Sequence, residues 1–263
     1  MGRPKAAGAM LGGSRGAGGR REAAPTFSGE TQMAWENSAS FGAASRATEE
    51  AQRSFLSKVY SLMFAGLSVT ALIAWYTVNT EALLVPVMRY MVFFLVAELG
   101  VVLALSFLAS RLSGAVAGLL FFAYAALNGL TLSSVFLVYG LGTITEAFGL
   151  TAGVFGAMTI YASTTKRDLT AWGSFLFMGL IGIVVAGLLN LFVHSDMMAF
   201  VLDCLAVVVF AGLTAYDHQR LRTMHAASGY SAAASVAVVG ALQLYLDFIN
   251  LFLAFVRLLG RRR

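Results

Sequence analysis

The chain has 263 residues, of which 59% are apolar and 12% charged, with 27 glycines and a mean hydropathy of +0.78. Charged residues stand at about half their usual share of roughly 25%, which excludes a water-soluble globular fold, while the apolar content excludes disorder over the whole length. The net charge of +5 is read through its placement, which marks topology rather than a nucleic-acid footprint.

Residues 1–53 are rich in Gly, Ala, Ser and Arg, with the run Leu11-Gly-Gly-Ser-Arg-Gly-Ala-Gly-Gly-Arg-Arg21 and isolated Phe27, Trp35 and Phe41. So little apolar area does not offset chain entropy, and the segment is expected to be a disordered tail. Glu22, Glu30, Glu36, Glu49 and Glu50 interrupt its arginines, which weakens it as a polybasic anchor. No apolar run precedes Phe55, so no signal peptide is expected and the first membrane helix serves as its own address.

Residues 54–263 read as a membrane domain of seven apolar blocks near the ~20 residues needed to cross hydrocarbon. The expected spans are 55–78, 84–109, 113–138, 146–164, 171–192, 198–217 and 238–259. Helices are required because a barrel would alternate in segments of ~10 residues. The spacings Gly114-Ala-Val-Ala-Gly118 and Gly149-Leu-Thr-Ala-Gly153 suit close helix approach. Cys204, in the apolar run 201–210, is a small hydrophobe rather than a ligand or nucleophile.

Orientation follows from lysine and arginine in the connections. Arg46, Arg53, Lys58, Arg111, Lys166, Arg167, Arg220 and Arg222 fall on one side, against Glu81, Glu146, His194, Asp196 and a lone Arg89 on the other, which predicts a cytoplasmic amino terminus. Seven crossings then put Arg261, Arg262 and Arg263 on the wrong side for the rule. That leaves a last helix that enters and returns as the alternative to a full span, which the dominance of earlier helices favours.

Five acids stand in or beside the apolar blocks: Glu98, Glu146, Asp203, Asp217 and Asp247. An ionised Asp at a helix centre costs about 2.5–3.5 kcal/mol on insertion scales, so each needs a partner, a water-filled cavity or a function. Glu146 and Asp203 start their helices and are read as interfacial or structural. Glu98 sits mid-span and is as readily functional as structural. Asp217 closes the sixth span in Leu213-Thr-Ala-Tyr-Asp217-His-Gln219, and Asp247 lies within the seventh in Leu244-Tyr-Leu-Asp-Phe-Ile-Asn250. Since the two spans run in opposite directions, Asp247 falls ~13 Å inside the membrane, in reach of Asp217 if that residue is not quite terminal. Touching carboxylates do not both ionise cheaply, so the pair is expected to hold one proton as a pH-responsive latch that weakens as pH climbs. A calcium ion replacing that proton would find hard oxygen ligands in Asp217 and Asp247, with Asn250 or Tyr245 completing a weak shell. The alternative is that each Asp anchors its own helix through Tyr216, Gln219, Gln243 or Asn250.

These residues, together with Asn128-Gly-Leu-Thr-Leu-Ser133, Phe136-Leu-Val-Tyr139, Thr164-Thr-Lys-Arg-Asp-Leu-Thr170 and Phe175-Leu-Phe-Met-Gly-Leu180, resemble the Bax inhibitor-1, or transmembrane Bax-inhibitor-motif, family in its bacterial form, from about Tyr60 to Leu259. The resemblance implies an all-α membrane protein with six helices around a central seventh, and a pH sensor of two aspartates that map onto Asp217 and Asp247. It implies a passive, pH-dependent calcium leak in which Arg111 and Glu98 are the nearest matches to the pair's partners. His218 stands where relatives often carry Thr, beside the latch. The lipid bilayer and calcium are the expected partners, no cofactor is required, and bacterial relatives imply the inner membrane. They also imply the alternative of a regulator docked, through the tail, on a membrane-bound AAA protease.

Catalysis is not expected. Two aspartates on neighbouring helices resemble an intramembrane aspartyl protease, but that class carries Gly-x-Gly-Asp at the second acid, where this chain has Tyr245-Leu246-Asp247 and both glycines are missing. Phosphate-loop, zinc and nucleophile-elbow motifs do not occur.

Overall fold

The computed structural model describes residues 29–108, 111–227 and 233–261. Among them are eight helices: α1 (Gly29–Val78), α2 (Glu81–Arg89), α3 (Met91–Leu108), α4 (Gly114–Val138), α5 (Leu141–Thr164), α6 (Thr170–Val193), α7 (Asp196–Ala227) and α8 (Ala233–Gly260). All but α2 contain a stretch long and apolar enough to cross a membrane, so the seven spans are those expected. The chain divides after Ala47 into a membrane unit and an amino-terminal unit, of which 29–47 is helical. Residues 1–28, which hold most of the predicted tail and of its docking role, lie outside the described residues.

The boundaries depart most from expectation in three places, each for a local reason. Residues 29–53, expected to be disordered, belong to α1; they are rich in Ala and Glu, and a helix already nucleated by the apolar span extends through such residues at little cost. The second span begins at Met91 rather than 84, because α2 with its internal Pro86 ends at Tyr90, which leaves helical geometry at φ −108°, ψ 25°. α7 continues ten residues beyond Asp217, with Leu221 buried against the α8 backbone at Gly240.

α8 is the centre of the bundle. Of its most apolar stretch 61% is buried, against at most 39% in any other span, whose outer faces carry the exposed Leu, Phe and Val that lipid solvates. Tyr245, Leu242, Leu244, Leu251 and Val256 are fully buried along it, and the Phe121 and Tyr124 rings of α4 each meet Tyr245 edge-on at 5.7 Å. α4, α5 and α7 pack directly on α8, and α1 reaches it through Thr70. α3 is held mainly through α4, and α6 packs on α7 but stands off from α8.

Small residues set these distances, though not the ones the spacing singled out. A side chain at Gly118, Gly149 or Gly153 would meet open space, and of the two predicted pairs only Gly114 faces a neighbour, Ala234. The close approaches are instead at Gly66 under Phe121, Gly129 against the Thr70 carbonyl, Gly173 under Tyr216 and Gly240 under Leu221.

α8 runs antiparallel to α7 over its whole length. Gly240 lies by Leu221 near one end, and Arg257 and Arg261 lie by Asp203 and Asp196 at the other. The entering-and-returning alternative for the last helix is thereby set aside.

Candidate functional site

Because α6 leans on α7 and not on α8, a wedge-shaped cavity of about 670 Å³ opens between them. Its α8 wall carries Gln243, Asp247, Asn250 and Arg257. These positions are spaced by four, three and seven residues, which at 100° per residue places them on one stripe of the helix. The α7 wall contributes Tyr216, Asp217 and Arg220 among apolar neighbours, while α6 supplies Ser174 and apolar side chains. The result is a polar track some ~15 Å long, from Asp247 to Arg257, down an otherwise apolar wall.

Near one end of this track Asp217 and Asp247 meet carboxyl to carboxyl, within hydrogen-bonding reach of each other. Both are buried, 9% and 4% exposed. They meet because α7 extends past Asp217, leaving it ten residues inside the helix rather than at its end. Asp247 Oδ2 is fully enclosed and receives no hydrogen bond from any N–H or hydroxyl among the described residues. An ionised carboxylate only accepts, so this contact is satisfied only when one of the two acids carries a proton. Arg220 is the cation whose charge reaches Asp217.

The other sequence candidates lie elsewhere. Arg111 is exposed in the turn after α3 and does not line the cavity. Glu98 is buried in a separate network, accepting from Thr131 Oγ1 at 2.6 Å and Asn128 Nδ2 at 3.3 Å. Asn128 in turn accepts from the Tyr245 hydroxyl at 3.1 Å, which lies 2.6 Å from Thr70 Oγ1. Tyr245 is therefore committed to α1 and α4 and is removed from the expected calcium shell, whereas Asn250 remains in the cavity. His218 turns away from the pair, its Nδ1 2.6 Å from Tyr60 Oη and its Nε2 2.9 Å from Ser163 Oγ, so it ties α7 to α1 and α5.

Sequence reasoning passed over Arg257. It closes the far end of the cavity, donating from Nε to Asp203 Oδ1 at 2.6 Å, with Arg261 3.5 Å from Oδ2 of the same carboxylate. The signal was present: an arginine inside Phe255-Val-Arg257-Leu-Leu needs an acid at equal depth, and Asp203 supplies it. Among the described residues no three acidic, histidine or cysteine side chains converge to hold a metal ion.

Comparison with known proteins adds to this geometry. The family model described as inhibitor of apoptosis-promoting Bax1 matches residues 52–263. The chain is 44% identical over 217 residues to the inner membrane protein YbhL of Escherichia coli K12, covering 80% of this chain and 93% of that one. A Borreliella burgdorferi protein is 43% identical over 215 residues, covering 80% and 92%, and a Deinococcus radiodurans protein 45% over 203, covering 76% and 87%. With six spans around a central α8, and a family match that covers the entire membrane unit but for its first turn, the chain belongs to the Bax inhibitor-1 family of integral membrane proteins.

Proposed function

We propose that the protein is a passive, pH-gated cation leak of the inner membrane, with its amino terminus cytoplasmic, calcium as the ion it favours and no catalytic step. The observation that carries this is the contact of Asp217 and Asp247 at the wall of the cavity, with Asp247 Oδ2 lacking any other donor. A single proton between the carboxyls holds α7 to α8. When it leaves, two buried like charges face each other and drive the helices apart, widening the track between Arg220 and Arg257.

The sign is fixed by that proton. Closure is stabilised while pH lies below the range in which the pair loses its shared proton, and the stabilisation fades as pH rises through it. Calcium substitutes for the proton as a hard cation between two carboxylates. Because the pair and Asn250 supply fewer than the 6–8 oxygens calcium prefers, it is held weakly and passes on. Arg257 is neutralised by Asp203 and so offers little repulsion to a passing cation.

Calcium flux into proteoliposomes between about pH 6 and pH 8 tests this. The wild-type leak is expected to rise with pH, and Asp217→Asn and Asp247→Asn are each expected to flatten the profile. A profile unchanged in both variants overturns the proposal.

A further inference from the structure

A second cavity, of about 720 Å³, lies at the end of the bundle where the cations gather, between α1, the α5–α6 connection and the last turns of α7. Lys166, Arg167, Arg220 and Arg222 line it, against the lone carboxylate of Asp168. Thr170, through its hydroxyl and its backbone N–H, holds that carboxyl below the usual range, so it stays charged with one oxygen accepting from the Thr170 N–H at the start of α6. Among the described residues none of these four cations is salt-bridged, although the charge of Arg220 reaches Asp217.

The walls are built rather than loose. Gln219 of α7 pins the connection from both sides, its Oε1 accepting from Leu169 N at 2.7 Å and its Nε2 donating to Arg167 O at 2.9 Å. Arg222 donates to Ser163 O at 3.1 Å, and Gln52 of α1 donates to Arg222 O at 3.0 Å. Thr170, which also lines the cavity, opens the 24-residue α6, whose amino-terminal dipole adds to the positive field. A bias toward cytoplasmic cations accounts for their number but not for their convergence on one half-open, cross-braced space. Forked guanidinium donors arranged in this way match the oxygens of a phosphate group.

Arg220 and Tyr216 line this cavity and the one holding the aspartates, so they form the partition between the two. We propose that the basic vestibule binds a phosphate group, held by Lys166, Arg167, Arg220 and Arg222.

The test uses the purified full chain. Titration with inorganic phosphate and with pyrophosphate measures the soluble arm. Reconstitution into phosphatidylcholine vesicles with and without about one-fifth phosphatidylglycerol, scored by retention of the anionic lipid, measures the lipid arm. Binding in either arm, weakened about tenfold by Lys166→Gln with Arg167→Gln and separately by Arg220→Gln, is the expected result, and the arm that responds identifies the source. Lys166 and Arg167 are exposed in the connection, so their replacement leaves the fold intact. Absence of binding in both arms, or binding indifferent to all three substitutions, overturns the site.

Discussion

Arg257 carries one of the few guanidinium groups inside the apolar spans, and its worth follows from Asp203, whose side chain is only 6% exposed. Removing the half-exposed arginine strands the buried carboxylate of Asp203, and the stranded charge rather than the lost attraction dominates the cost. Arg257→Gln is therefore expected to destabilise the protein by up to about 3 kcal/mol, with Arg261 retaining a partial hold on the carboxylate. Asp203→Asn combined with Arg257→Gln is expected to recover most of the loss, because no charge is then left alone. Thermal unfolding in detergent, run as a double-mutant cycle, checks this, and additive losses would remove the coupling. Asp217 and Asp247 were legible because each interrupts an apolar run and the run directions fix their depths. The polar stripe through Gln243, Asp247, Asn250 and Arg257 was equally written in the spacing and went unread at Arg257, which lies inside the last apolar block. Arg111 and Glu98 were not legible as neighbours or non-neighbours of the pair: nothing in the sequence fixes the rotation of α3, and it is the donors Thr131 and Asn128 that settle it.

Helices were legible wherever hydrocarbon demands them and illegible where it does not. The spans follow from ~20-residue apolar blocks, but no apolar run announces the last turns of α7 or the first turns of α1. Packing between helices was the least legible level, since a glycine's spacing says nothing about which face it occupies. Gly129 and Gly118 share α4 and make the contrast testable. A methyl at Gly129 would lie 2.7 Å from the Thr70 backbone carbonyl, which cannot move without shifting α1, whereas at Gly118 it meets open space. Gly129→Ala is expected to lower the unfolding temperature by several degrees, while Gly118→Ala is expected to be neutral or to stabilise by up to about 1 kcal/mol through helix propensity. Equal effects of the two substitutions would show that α1 and α4 do not meet at this glycine.

On the scale of the whole molecule, the charges divide by the end at which they lie. The cavity lined by Lys166, Arg167, Arg220 and Arg222 marks one end, and Asp196 with Arg261 marks the other. The carboxy-terminal arginines conflict with the positive-inside bias, and the structure shows how Arg261 is held there. Its Nη1 donates to the Asp196 carbonyl at 2.6 Å and its Nη2 lies 3.5 Å from Asp203, so the guanidinium is anchored within the bundle and shares with Arg257 a carboxylate that offsets one of the two charges. An odd number of spans then places Lys166 and the end of α8 on opposite faces of the membrane. Single cysteines at Lys166→Cys, Ser195→Cys and Arg263→Cys, each introduced over Cys204→Ala, report this through an impermeant maleimide applied to intact cells. Ser195→Cys and Arg263→Cys are expected to label from outside, and Lys166→Cys only after the cells are opened. If Arg263→Cys behaves like Lys166→Cys, α8 does not cross, and the antiparallel contact that brings Asp247 to Asp217 would need another geometry.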